Sequence, residues 1–229
     1  MNIAFFDVDE TLIDCKSMFV FARFYFDEFH EPALPRFQNL MDEIQLRVEA
    51  GASRETINSL YYRTFAGHER ETVRAAARAL YDACPFPLKP ASIARLRTHQ
   101  RAGDAIVLVS GAMEDILHPL MKQLDIRLNY CSAPTVLNGR YTGELTQQAI
   151  GRGKVHAVTQ YCAMLDVPPS RCFAYGDHSS DLPLLNAVGR PVAVDPDTTL
   201  AAHAREKGWE VLTSHNAPSN QHEIEYKPC

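Results

Sequence analysis

The earliest residues with a capacity for chemistry are Asp7 and Asp9, in Asp7-Val8-Asp9-Glu10-Thr11 at the end of an apolar run over residues 3–8. Two carboxylates at a strand end can share a displacement at phosphorus. One attacks, while the other protonates the leaving oxygen and later activates water. A second run, Ile106–Val109, ends in Ser110-Gly111. That hydroxyl can hydrogen-bond a phosphate oxygen, and the glycine lets a backbone N–H approach closely at a helix start. Gly151-Arg152-Gly153-Lys154 places a lysine where it can balance the negative charge that nucleophile and phosphate bring together. Gly176-Asp177-His178-Ser179-Ser180-Asp181 adds two carboxylates. Mg²⁺ takes hard oxygen ligands, usually one or two carboxylates with phosphate and waters. Asp177 could complete such a shell with Asp7, and Asp181 could anchor the lysine. Taken singly, each piece also reads as ordinary structure: a solvated acidic loop, a strand-to-helix turn, an exposed lysine, or an acid favoured by a helix dipole.

The elements that must position these residues alternate. Short apolar runs at residues 3–8, Ala105–Ser110, Cys172–Tyr175, Pro191–Val194 and Glu210–Leu212 predict buried strands. Between them, helical spacing is present at Ser92–Gln100, Met113–Leu124, Val155–Leu165, Leu182–Val188 and Thr199–Lys207. Strand alternating with helix predicts an α/β fold, a parallel sheet flanked by helices on both faces. In such sheets, sites form at the carboxyl ends of strands, which suits Asp7 and Asp9. Asn138-Gly139 is a type I′ turn signal and predicts a small β-hairpin over residues 136–144.

Residues 15–84 break this pattern. Phe37, Leu40, Met41, Ile44 and Val48 form one helical stripe ending near Gly51. Ile57, Leu60, Tyr61 and Phe65 form another behind an N-cap at Ser53, and Val73, Ala76, Ala77, Leu80 and Cys84 a third. An all-helical block between the first two strands reads as a separate cap. Phe19, Phe21, Phe24, Tyr25, Phe26 and Phe29 crowd one segment. They are expected to pack between cap helices, the alternative being that some rings line a substrate site. Ser214 to Cys229 reads as a loose tail.

Composition excludes several classes. A net charge of −5 argues against a nucleic-acid or membrane-surface binder, and no run is long and apolar enough for a membrane helix. The N-terminus has no signal-peptide pattern. The 6 cysteines contain no C-x-x-C pair, so free thiols in a cytoplasmic protein are expected.

The order D-x-D-x-T at Asp7, Asp9 and Thr11, then Ser110, Lys154 and Gly-Asp-x-x-x-Asp at Asp177 and Asp181, resembles the haloacid dehalogenase superfamily of phosphatases. The likeness spans residues 3 to about 212 and is closest to subfamily IB, the phosphoserine-phosphatase-like branch. It implies a Rossmann-like core of residues 1–14 and 85–213, a helical type I cap of residues 15–84, and a tail of residues 214–229. It further implies a Mg²⁺-dependent hydrolysis of a small-molecule phosphate ester through an aspartyl-phosphate. Asp7 would be nucleophile and metal ligand. Asp9 would be general acid and base, with its carbonyl on the metal. Thr11, Ser110 and Gly111 would hold the site or phosphate, Lys154 would neutralise charge, Asp177 would bind metal, and Asp181 would support them. Two positions depart from the branch. Its phosphoserine enzymes carry a glutamate nine residues past the nucleophile to meet the substrate amine, where this chain has Lys16. They also commonly have asparagine where Ser180 stands. A cation at Lys16 is expected to repel an ammonium substrate. Lys16, Arg23 and Arg63 are candidate substrate contacts, and His178 is expected to be a surface histidine. A phosphotransferase using the same intermediate, or a non-catalytic phosphate-binding regulator, would carry the same motifs. Oligomeric state stays open.

Overall fold

A computed structural model describes residues 1–30 and 36–214. In chain order the strands are β1 (Ile3–Phe6), β2 (Ala105–Ser110), β3 (Leu128–Cys131), β4 (Ala133–Leu137), β5 (Arg140–Gln147), β6 (Phe173–Gly176), β7 (Arg190–Val194) and β8 (Glu210–Leu212). Six of them form one parallel sheet in the order β3-β2-β1-β6-β7-β8. The order reverses between β1 and β6, and the carboxyl ends of strands at such a switch point frame a crevice. β4 and β5 pair as an antiparallel hairpin about Asn138 and Gly139, both at positive φ (50° and 77°), as a type I′ turn requires.

The helices are α1 (Ser17–Arg23), α2 (Arg36–Glu49), α3 (Arg54–Arg63), α4 (Arg70–Ala83), α5 (Pro90–Arg101), α6 (Glu114–Leu124), α7 (Val155–Leu165), α8 (Leu182–Asn186) and α9 (Thr198–Lys207). Strand residues alternate between two cores because successive side chains point to opposite faces. Ala4, Phe6, Ile106 and Leu108 meet Leu96 of α5 and the α6 residues Ile116 and Leu120. Ile3, Phe5, Val107 and Val109 meet α7, α8 and α9 through Ala157, Val158, Leu184 and Leu200. Both faces are covered, which is why these strands read as continuous apolar runs.

α1 to α4 lie between β1 and β2 in sequence. The chain leaves the sheet and returns at adjoining points: Asp14 N–H donates to the Pro87 carbonyl at 2.8 Å, and Lys89 N–H to Leu12 at 2.9 Å. Ser53 caps α3 as expected, its side chain accepting from Thr56 N–H. Phe21, Tyr25 and Phe26 are wholly buried and pack with Phe65 inside the helical insert, so these rings serve packing, while Phe29 is exposed. The insert's interior and the α5/α6 face of the sheet are one continuous apolar cluster.

The structure departs from the sequence reading at several points. The first strand stops at Phe6, because the chain turns at Val8 to build the site loop. β3 was not expected, nor was α1, which continues as a wide π turn over Phe24–Phe29. α8 ends at Asn186, two residues early. Cys15, Cys131, Cys162 and Cys172 are free thiols, but Cys84 is disulfide-bonded. The absence of a C-x-x-C pair excludes only partners close in sequence. Apart from Ser214, the tail over residues 214–229 lies outside the described residues. No described helix is long and apolar enough to cross a membrane.

Candidate active site

Three strand ends, those of β1, β2 and β6, converge with the start of α7. Asp7 follows β1 and stays tied to the sheet through its N–H to the Tyr175 carbonyl at 3.0 Å. The chain then turns: Leu12 N–H reaches back to the Val8 carbonyl at 2.8 Å, and Glu10 takes a left-handed φ of 60°. This turn sends the two aspartates to different partners. Asp7 faces Lys154, whereas Asp9 Oδ1 accepts the Ser17 N–H of the first insert helix at 3.1 Å.

Lys154 enters from a short 3₁₀ turn, Gly151–Lys154, ahead of α7. It is buried, and Nζ donates to Asp7 Oδ1 at 2.7 Å and to Asp181 Oδ1 at 2.6 Å. Asp181 Oδ2 accepts the His178 N–H at 3.2 Å, so both of its oxygens are engaged. Gly176 is needed just there, since a Cβ would stand 2.7 Å from the Asp181 Cβ. Asp177 closes the group. Oxygens of Asp7, Asp177 and Asp181 lie within 4.8 Å of one another. Thr11, wholly buried, donates to Asp177 Oδ1 at 2.8 Å and lies 3.4 Å from Asp7 Oδ2.

Three buried carboxylates around one ammonium are electrostatically unbalanced. Burial pushes Asp177 well above the usual carboxylate range, and the charges of Asp7 and Asp181 add to the shift. Burial raises Asp7 as well, against the pull of Lys154. Burial works to lower Lys154, but Asp181 and Asp7 hold it above its ordinary value. Burial moves Asp9 up to about 7, against the hydrogen bonding of Ser17. That places it where an acid can also serve as a base near neutrality.

Ser110 and Gly111 sit at the end of β2. The Ser110 hydroxyl oxygen accepts the Ala112 N–H at 3.1 Å, which leaves its own proton free to donate. The remaining sequence candidates are placed less centrally. Lys16 precedes α1 with Nζ 3.6 Å from Glu10 Oε2, so it is paired. Arg63 ends α3 and lines a groove with Ser59, Thr142, Glu144 and Gln148, against the hairpin. Arg23 closes α1. His178 is half-buried, its Nδ1 accepting the Ser180 N–H at 2.9 Å and its Nε2 3.4 Å from Asp197 Oδ2; burial lowers its pKa.

Sequence reasoning missed three contributors. Arg54, at the start of α3, donates from Nη1 to Ser180 Oγ at 3.2 Å. Asn58 Nδ2 and Tyr62 Oη, also on α3, donate to the Gly111 carbonyl at 3.0 and 2.8 Å. A signal existed for one: Asn58 is a polar residue set among Ile57, Leu60 and Tyr61 on an otherwise apolar stripe.

This fold and constellation agree with comparison to known proteins. Residues 4–186 match the model of the haloacid dehalogenase-like hydrolases, and the chain belongs to that family as an enzyme of the phosphatase type. A probable phosphatase of Mycobacterium tuberculosis is 31% identical over 218 residues, covering 92% of this chain and 74% of that protein. A histidinol-phosphatase of Neisseria meningitidis is 27% identical over 235 residues, covering 92% of this chain and 98% of that one. Among solved structures, a protein of unknown function from Bordetella pertussis superposes with a TM-score of 0.81 at 26% identity, covering 93% and 99% of the two chains. A substrate-bound phosphoserine phosphatase superposes at 0.66 with 14% identity, covering 92% of each, and shares the fold.

Proposed function

We propose that the chain hydrolyses a small-molecule phosphate monoester through an aspartyl-phosphate on Asp7. The observation that carries this reading is Lys154 held between Asp7 and Asp181 at 2.7 and 2.6 Å, with Asp177 alongside. An ammonium on one oxygen of Asp7 orients the carboxylate and lowers the cost of bringing a phosphate dianion beside it. Asp7 attacks phosphorus as Asp9, whose pKa of about 7 suits both roles, protonates the departing oxygen. Asp9 then takes a proton from the water that hydrolyses the acyl phosphate. The Ser110 hydroxyl and the Gly111 N–H hold phosphate oxygens, and the Thr11 hydroxyl, donating to Asp177 beside Asp7, fixes the Asp177 carboxylate. The helical insert over residues 15–84 acts as a cap, with residues 1–14 and 85–213 as the core.

Magnesium fits this donor set, because a buried group of three carboxylates with a single lysine leaves negative charge for a hard cation to balance. Asp7, Asp177 and the main-chain carbonyl of Asp9 would hold it, and bound there it would supply charge stabilisation at the phosphoryl oxygens. Asp181, with both oxygens engaged, supports Lys154. A cytoplasmic location, with a small-molecule phosphate ester as substrate and neither nucleic acid nor membrane as partner, completes the reading. An amino-alcohol phosphate is the first physiological compound to try, given the Neisseria relative's name. The test is phosphate release from p-nitrophenyl phosphate, with and without Mg²⁺, by wild type and Asp7→Asn. Magnesium-dependent release that the variant lacks supports the assignment, and wild-type-like release by the variant refutes it.

A further inference from the structure

The Ser110–Ala112 segment is gripped from outside the core. The peptide joining Gly111 to Ala112 is held at both ends. Its N–H donates to Ser110 Oγ at 3.1 Å, and its carbonyl accepts Asn58 Nδ2 at 3.0 Å and Tyr62 Oη at 2.8 Å. Both donors come from α3 of the helical insert, and both are buried, at 4% and 1% exposure. A carbonyl with two buried donors cannot rotate away without leaving them unsatisfied. The strand ladder ends one bond earlier, at Ser132 N–H to the Ser110 carbonyl at 2.9 Å. Past that point the insert, not the sheet, fixes the loop.

Packing closes the other side. A Cβ on Gly111 would stand 2.3 Å from Ile150 Cδ1 and 3.3 Å from Asn58 Nδ2, so both side chains close over this glycine. Asn58 also reaches the approach to Lys154. Its Oδ1 accepts Gln148 Nε2 at 3.2 Å and faces Ser132 Oγ at 3.4 Å, and that hydroxyl in turn accepts the Ala149 N–H at 3.0 Å. One side chain of the insert thus touches the Ser110-Gly111 loop and the segment leading into the Lys154 turn.

We infer that Asn58 and Tyr62 are positioning residues for phosphate, acting through the Gly111 carbonyl to aim the Ser110 hydroxyl and the Gly111 N–H. This rests on the phosphatase reading above. In its terms, the insert contributes to phosphate grip as well as covering the site. Neither side chain need touch substrate.

Tyr62→Phe tests it, since the ring and its packing remain and only the donor is lost. Tyr61→Phe is the control: it also removes a buried hydroxyl from α3, but one that donates to the Met18 carbonyl at 2.8 Å, within the insert. The full-length chain is titrated with inorganic phosphate by calorimetry in MgCl₂, and p-nitrophenyl phosphate kinetics are run beside it. Tyr62→Phe is expected to weaken phosphate binding about fivefold to tenfold and raise KM in parallel, with kcat changed less than about threefold. Tyr61→Phe should leave phosphate affinity within about twofold of wild type at a comparable melting temperature. Asn58→Ala, if it folds, should exceed Tyr62→Phe. Equal phosphate affinity in wild type and Tyr62→Phe, an equal loss in Tyr61→Phe, or no phosphate binding by wild type overturns the inference. Wild type that binds phosphate but releases none from esters sinks the phosphatase reading instead.

Discussion

Replacing Lys154 with methionine keeps an unbranched apolar stem out to Cε and removes the ammonium with its charge. The ammonium is 4% exposed and makes two short bonds, to Asp7 and to Asp181, whose side chains are 10% and 1% exposed. Removing one partner from a buried ion pair leaves charge uncompensated and costs about 3–5 kcal/mol. At about 2–4 °C per kcal/mol for a chain of this size, the metal-free variant should melt on the order of 10 °C below wild type at pH 7. The sign of the pH effect follows from the carboxylates. Asp7 and Asp177 already sit above their usual range through burial, and without Lys154 they hold protons more tightly still. Lowering the pH neutralises them, so the deficit should narrow between pH 7.5 and pH 5.5. Adding Asp181→Asn to Lys154→Met should recover part of the loss, because one stranded charge disappears. Thermal unfolding in EDTA across this range is the assay. A Lys154→Met melting point within about 2 °C of wild type at pH 7, or a deficit that grows on acidification, refutes the charge accounting.

Two further outcomes follow from individual carboxylates. Asp9 has a folded pKa of about 7 against an ordinary 3.8, so the folded state binds the proton more tightly and stability falls as pH rises between those values. Three units at 1.36 kcal/mol each set a ceiling of about 4 kcal/mol, and Asp9's remaining contact with solvent brings the expectation to about 1–3; metal-free Asp9→Asn should therefore outlast wild type in thermal unfolding at pH 7.5 and match it near pH 4, and no gain at pH 7.5 would count against the burial of this carboxyl. Asp115 behaves in the opposite sense. Burial works to raise it, yet bonds from Arg70, Tyr141 and Arg74 hold it below the usual range, so its contribution is present above the unfolded pKa and lost as pH falls through the folded one. Asp115→Asn should cost about 2–3 kcal/mol at pH 7, allowing for the half-exposed arginines, and urea unfolding that shows no loss would contradict it.

Much of the fold was legible because burial on both faces writes itself into sequence as unbroken apolar runs. β2 and α7 have the bounds that periodicity assigned to them. β3 escaped because it is an edge strand, where Leu128 and Asn129 are only half-buried and no run forms. α1 escaped for the opposite reason. Ser-Met-Phe-Val-Phe-Ala-Arg is apolar on almost every side, and the π turn that follows shifts the register, so no helical stripe stands out.

At the site, side-chain types were legible but partners were not. A lysine between two aspartates is a pairing of opposite charges, which sequence can anticipate once the motifs are joined. Asn58 and Tyr62 act on a backbone carbonyl, and no residue pattern marks a carbonyl as a target. Lys16 shows the same limit in reverse. Read alone, it is a cation standing where an ammonium-bearing substrate would meet repulsion. In the fold, Glu10 Oε2 lies 3.6 Å from its Nζ, with side chains 34% and 45% exposed. A paired and solvent-screened lysine presents little net charge to the crevice. The electrostatic case against an amine-bearing phosphate ester therefore loses its force, which is why such esters belong in the substrate panel.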